Sequence, residues 1–236
     1  MKKMILSAVM LVFAASGRAQ EAGAASPTEH NEWLTTFEAV AVDADLDIKF
    51  VKVPDTEAPK IVYDTKGSYT SKFRAEVKDK TLRISEKYDS RRPDRTQVTV
   101  YYNTLQSVSL SGAAAVFEGT VDAVLLDLTL GRKASLTAAF DVKDLRMELT
   151  GGSSATLTGK AGYLTLFAST GRGVAASGLE VMSAEVNAQS KADVSLWITD
   201  RFIGKTTTNA RITYKGQPAV VRGGAKFMGG EISHVE

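Results

Sequence analysis

Between residues 105 and 214 apolar and polar side chains alternate along the chain, and the alternating runs recur about every 20 residues, the signature of a solenoid. Six short motifs mark the recurrence: a small residue, two small or basic residues, usually Ala, any residue, then an apolar one. They begin at Gly112, Gly131, Gly152, Gly171, Gln189 and Thr207, in steps of 19, 21, 19, 18 and 18 residues. Upstream columns repeat with them. Seven residues before each motif stand Leu105, Val124, Leu145, Leu164 and Met182, with Asp200 as the exception. Five before stand Ser107, Leu126, Met147, Leu166, Ala184 and Phe202, and three before stand Ser109, Leu128, Leu149, Ala168, Val186 and Gly204.

Apolar columns two residues apart predict extended strands whose alternate side chains turn inward. The residues between them, such as Asp127, Glu148, Thr165 and Glu185, are predicted to face solvent. Each repeat reads as two or three short strands joined by tight corners, where Gly takes positive φ without steric cost. One coil cannot bury its inward row alone, but stacked coils share a core and pair their strand edges. The fold expected is all-β: a parallel β-solenoid of about six regular coils, right-handed by the usual crossover rule and about 29 Å long at the strand spacing.

The rest of the chain brackets this array. Residues 40–50 alternate between an apolar set (Val40, Val42, Ala44, Leu46, Ile48, Phe50) and a polar set containing Asp43, Asp45 and Asp47, which predicts one strand or two short ones. Further strands are expected at 61–63, 73–77, 81–85 and 97–102, with a hairpin at 78–80 and an exposed charged loop at 86–95 containing Pro93. Residues 33–103 are therefore expected as irregular, longer strands that begin and cap the stack, 104–214 as the regular coils, and 215–236 as a C-terminal cap. Together, 33–236 form one domain.

Residues 1–19 read as a signal peptide, with Lys2 and Lys3 before an apolar run and small residues at Gly17-Arg18-Ala19. The run is too short for a permanent anchor, and 20–32, rich in Ala, Gly and Ser, read as a flexible leader. Export to the periplasm, the cell surface or the outside follows. No second run of membrane length occurs. A formal charge of +2 argues against nucleic acid, and the absence of Cys removes disulfide and thiolate chemistry.

Candidate chemistry is sparse. The only histidines, His30 and His234, lie near the chain ends, which is poor material for a catalytic triad or a zinc site. No cofactor and no metal are expected. Asp43, Asp45 and Asp47 could meet Ca²⁺, but strand neighbours on one face sit about 6–7 Å apart, too far for compact coordination. Outward acids at Asp122, Asp127, Asp141, Asp144, Glu148, Glu180, Glu185 and Asp193 leave carboxylate-based polysaccharide cleavage open. Trp33, Trp197, Tyr101, Tyr102 and Tyr163 are candidates for stacking on sugars. The binding residues expected are Arg132, Lys133, Arg172, Lys191 and Arg211. Arg132 and Arg172 are assigned to one column, about 9.6 Å apart, and Lys133 and Lys191 to the next, a basic strip that could grip an anionic glycan.

The order of these features resembles the family called putative auto-transporter adhesin, head GIN domain. The match is carried by Ser111-Gly112, Leu130-Gly131, Gly151-Gly152, Thr170-Gly171 and the closing Tyr214-Lys215-Gly216-Gln217-Pro218, and covers about residues 37–233. Gln189 and Thr207 depart from the Gly pattern. The resemblance implies a β-solenoid of the cell envelope, with adhesion suggested by the family's name. The expectation is a non-catalytic binding module for a glycan or an envelope protein. The alternatives are a polysaccharide lyase or hydrolase on a similar solenoid, and a structural assembly protein.

Overall fold

The computed structural model describes residues 29–66, 72–87, 94–169 and 172–235, and among these no α-helix occurs. The signal segment at 1–19 and leader residues 20–28 lie outside the described residues, as does most of the expected charged loop. Among the described residues, sixteen strands run in chain order. The N-terminal group is β1 (Glu29–Trp33), β2 (Ala39–Asp43), β3 (Leu46–Lys52), β4 (Lys60–Asp64), β5 (Phe73–Lys78), β6 (Thr81–Glu86), β7 (Thr96–Tyr102) and β8 (Ser107–Ser111). The regular coils are built from β9 (Ala114–Gly131), β10 (Ser135–Leu149), β11 (Ser154–Ser169), β12 (Gly173–Gln189) and β13 (Asp193–Thr207). They are followed by β14 (Arg211–Lys215), β15 (Val220–Phe227) and β16 (Glu231–His234).

Parallel pairing stacks these strands into a β-solenoid of about six turns with two main walls. Wall A carries β3, the first halves of β9 to β13, then β14 and β16. Wall B carries β2, β8, the second halves of β9 to β13, and β15. The long strands, 15 to 18 residues each, bend from wall A to wall B, and in three of the four ladders between them the register shifts near the bend. The two or three short strands expected per repeat are therefore one bent strand. The N-terminal strands, expected to be longer, are shorter, at 5 to 7 residues.

The stack does not follow chain order at its N-terminal end. β2 and β3 are laid down first; β6 and β7 then pair on one side of them, and β8 and β9 on the other. Antiparallel strands close the end: β4 on β7, β1 on β4, and β5 on β6. β5 and β6 are joined by Asp79 and Lys80, both with positive φ, as a two-residue hairpin requires. Residues 29–32, expected in the flexible leader, form most of β1. The Tyr63 hydroxyl donates to Glu32 at 2.6 Å and its ring stacks on His30, which gives this segment a reason to pair.

Five of the wall B to wall A corners share one geometry. Arg132-Lys133, Gly151-Gly152, Ser190-Lys191, Thr208-Asn209 and Met228-Gly229 all have positive φ. A hydrogen bond closes the turn around the first four of these pairs: Ala134 N to Gly131 O, Ser153 N to Thr150 O, Ala192 N to Gln189 O, and Ala210 N to Thr207 O. These are stacked type I′ turns, whose twist suits neighbouring strands. The residue after each of the first four pairs is small and buried: Ala134, Ser153, Ala192 and Ala210. Ser153 offsets its buried hydroxyl by donating to Leu130 O at 3.1 Å.

Inside, the middle of the stack is filled, Phe140 apart, by aliphatic rows such as Leu126, Leu145 and Leu164, while aromatic groups cluster at the ends. Phe50 stacks on Phe117 at 4.5 Å with Tyr102 edge-on to both, and Phe202 meets Tyr214 at 4.7 Å. The expected inward column seven residues before the motif fails in two coils. Val124 is 69% exposed and Met182 43%, because the ladder sets Leu145 beside Leu126 and Leu164 beside Ala184, which leaves Val124 and Met182 in a different, outward row. Ser107 and Ser109 face outward, with Val108 and Leu110 inside. The corner at Gly112 has one left-handed residue instead of two, and one residue fewer flips the strand's faces.

Candidate binding site

The corner geometry fixes where the five expected basic residues lie. All five are exposed. The ladder aligns Ser135, Ser154, Gly173, Asp193 and Arg211 in one row. Counting back from that row places Lys133 and Lys191 in a shared column, as expected. Arg132 falls one residue earlier, in the column of Ser190 and Thr208. Arg172 falls directly before the row, where other coils hold Ala134 and Ala192. Arg132 and Arg172 therefore do not share a column: the Gly112, Gly152 and Gly171 motifs sit two residues out of step with the other three.

Two of the five are engaged in ion pairs. The Arg132 guanidinium donates to Asp43 and, through Nε, to Ser111 Oγ at 2.7 Å. Arg211 Nε donates to Glu231 at 3.3 Å. Lys133, Arg172 and Lys191 have no ion pair among the described residues. Nor do Asp43, Asp45 and Asp47 form a cation site. Arg95 reaches Asp45 at 2.6 Å and Asp47 at 2.7 Å, and Arg132 takes Asp43, so the acidic strand face is neutralised by arginines from neighbouring coils. No group of three metal-ligating side chains occurs among the described residues.

Wall B carries a different concentration of chemistry. Its outward rows run across the coils as Ser107, Asp127, Arg146, Thr165, Glu185 and, beside them, Ser109, Thr129, Glu148, Phe167, Asn187. Short Ser and Thr side chains leave a depression between the taller ones, a groove of about 560 Å³ that crosses β8 to β12. Five strands at about 4.8 Å spacing make it about 19 Å long along the axis. Phe167 is half-buried on β11, the fourth of these strands, between Glu148 and Asn187 on the adjacent strands. Tyr163, 56% exposed, faces outward from the same strand four residues earlier.

The outward acids Asp127, Glu148 and Glu185 are thus gathered into one groove. Phe167, Arg146 and Asn187 were not singled out from the sequence. The signal available was an aromatic residue standing in an otherwise polar outward column. Arg146 is drawn aside, its guanidinium donating to Asp144 at 3.2 Å. The other aromatic candidates are occupied or hidden. Tyr102 is buried, Trp33 and Tyr101 flank the Lys60 ammonium, and Lys215 Nζ lies 4.7 Å over the Trp197 ring.

Known structures share this architecture. A putative adhesin from Bacteroides fragilis superposes with a TM-score of 0.77 at 18% identity, covering 88% of this chain and 96% of that one. A putative adhesin from Parabacteroides distasonis gives 0.64 at 17% identity, covering 88% and 96%. A putative lipid binding protein from the same species gives 0.65 at 14%, with the same coverage. At these identities the likeness is one of fold. No curated protein matches the sequence. The family profile described as putative auto-transporter adhesin, head GIN domain, matches residues 36–218, the coils and the closing Tyr214-Lys215-Gly216-Gln217-Pro218 included, and the chain belongs to that family.

Proposed function

We propose that this protein is an exported, non-catalytic binding module of the cell envelope or surface that holds an extended partner along wall B. One observation carries the reading. The outward rows of wall B place hydrogen-bonding side chains and a half-buried aromatic ring in one continuous groove across five strands, a shape suited to a chain rather than a compact ligand. The family's name agrees with a role in adhesion. The partner proposed is a glycan.

The test is a glycan array probed with residues 20–236, alongside two blocking variants. Thr165→Arg places a long side chain in the groove, whereas Thr156→Arg does the same on the outer face of wall A. Binding abolished by the first and kept by the second supports the reading. Equal loss in both, or binding by neither wild type nor variants, removes it. Release of shortened products from a bound glycan would replace the binder with the carbohydrate-active enzyme.

A further inference from the structure

We propose that the wall B groove selects non-acidic glycan chains, with Phe167 as the stacking platform and Asp127, Glu148, Glu185 and Asn187 as the hydroxyl-binding groups; this rests on the reading of wall B as the binding face. The charge of the groove decides the ligand class. Three carboxylates line it against one guanidinium, and that guanidinium is turned to Asp144. Asp127, Glu148 and Glu185 have no ion pair among the described residues, so their oxygens face the groove's solvent as acceptors. A uronate or sulfate brought here would meet like charge without a free cation to receive it.

Sugar hydroxyls suit the same groups. A carboxylate accepts from two adjacent hydroxyls, and an amide both donates and accepts, so Glu148 and Asn187 on either side of Phe167 can engage both edges of one ring. The face of Phe167 offers an apolar platform for the C–H face of that ring. Tyr163 stands four residues away on the same strand, about 13 Å, and offers a second platform beside the groove. Amine-bearing sugars gain an added Coulomb attraction to the carboxylates that salt weakens. The basic residues at the corners lie outside this groove and take no part.

The test is titration calorimetry of residues 20–236 with three hexasaccharides: an N-acetylglucosamine oligomer, its de-N-acetylated amine form, and an oligogalacturonate. The expected results are binding of the neutral probe independent of salt, tighter binding of the amine probe at low salt only, and none of the acidic probe. Phe167→Ala weakens the neutral and amine probes about tenfold, and Glu148→Gln removes the low-salt advantage of the amine probe. Thermal melts matching wild type exclude misfolding of these outward-facing variants. Binding of the acidic probe that Lys133→Ala or Arg172→Ala abolishes overturns the assignment, as does neutral binding indifferent to Phe167→Ala. If none of the probes binds while Thr165→Arg still blocks an array hit, the ligand class fails and wall B remains the binding face.

Discussion

The guanidinium of Arg132 rests on the carboxylate of Asp43, joining the first regular corner to a strand laid down 89 residues earlier. Its Nε also donates to Ser111 on the intervening strand. Arg132 is thus a lateral tie between coils. Because both partners are largely exposed, the pair contributes little: a double-mutant cycle with Arg132→Ala and Asp43→Ala is expected to give a coupling below about 1 kcal/mol by urea unfolding. The same Arg132→Ala variant is expected to leave glycan binding unchanged, since its partner is intramolecular. A tenfold loss of binding would return Arg132 to the ligand.

Arg95 is a stronger tie. It precedes β7, yet its guanidinium bridges Asp45 and Asp47 and donates to the carbonyls of Leu46 at 3.1 Å and Gly112 at 3.2 Å. Three coils meet at one planar group. Lysine keeps the charge but cannot reproduce the fork of donors. Arg95→Lys is expected to lower unfolding free energy by about 1–2 kcal/mol, after allowance for partial exposure. Equal stability of the lysine variant would reduce Arg95 to a general surface charge.

The fold was legible in the sequence because burial in a solenoid repeats at fixed intervals. Counting alone marks Leu126, Met147 and Leu166 as inward, and all three are buried, although the ladder sets Leu126 beside Leu145 and Met147 beside Leu128. What counting could not see was the true register of the corners. A shift of two residues leaves inward and outward faces unchanged, so the Gly152 motif aligned with Gly131 as well by pattern as Thr150 does by structure. That error moved Arg172 into the column of Arg132 and produced a basic strip. The excursion of β4 to β7 around β2 and β3 was also invisible, since no local pattern records which side of a strand a later coil joins. The groove was half legible: Asp127, Glu148 and Glu185 were recognisably outward, but their convergence on Phe167 needed the register.

Glycines at the bends separate conformation from crowding. Gly159 and Gly216 both have φ of +99°, and a side chain at either would collide with a backbone carbonyl of the preceding coil, Phe140 O and Ile198 O respectively. Gly119 also has positive φ, at +76°, but open space lies beside it. Gly119→Ala is therefore expected to cost about 1–2 kcal/mol, the left-handed penalty alone. Gly159→Ala and Gly216→Ala should cost more than about 3 kcal/mol by denaturant unfolding, because backbone must shift as well. The central glycine of Tyr214-Lys215-Gly216-Gln217-Pro218 thereby has a physical reason: its backbone passes against the coil beneath. Equal costs at all three positions would refute the crowding argument.

Tyr102 gives the fold an alkaline limit. It is 2% exposed beside Phe50 and Phe117, and burial, with the charge of Asp122 adding to it, raises its phenol from about 10 to about 12. Tyr63 is raised to about 12 as well, first by burial and then by its hydrogen bond to Glu32. For a group whose folded value lies above its unfolded one, the unfolded chain releases the proton first as pH rises. The stabilisation is thus complete below pH 10 and is lost between pH 10 and 12. Tyr102 is expected to remove about 2–3 kcal/mol over that interval, and the part-buried Tyr63 less. Lysines titrate in the same range, so the informative quantity is the difference between wild type and Tyr102→Phe. Urea unfolding from pH 8 to 12 should show the two diverging above pH 10, with the phenylalanine variant falling less steeply. Parallel curves throughout would mean that the Tyr102 hydroxyl ionises as readily in the fold as outside it.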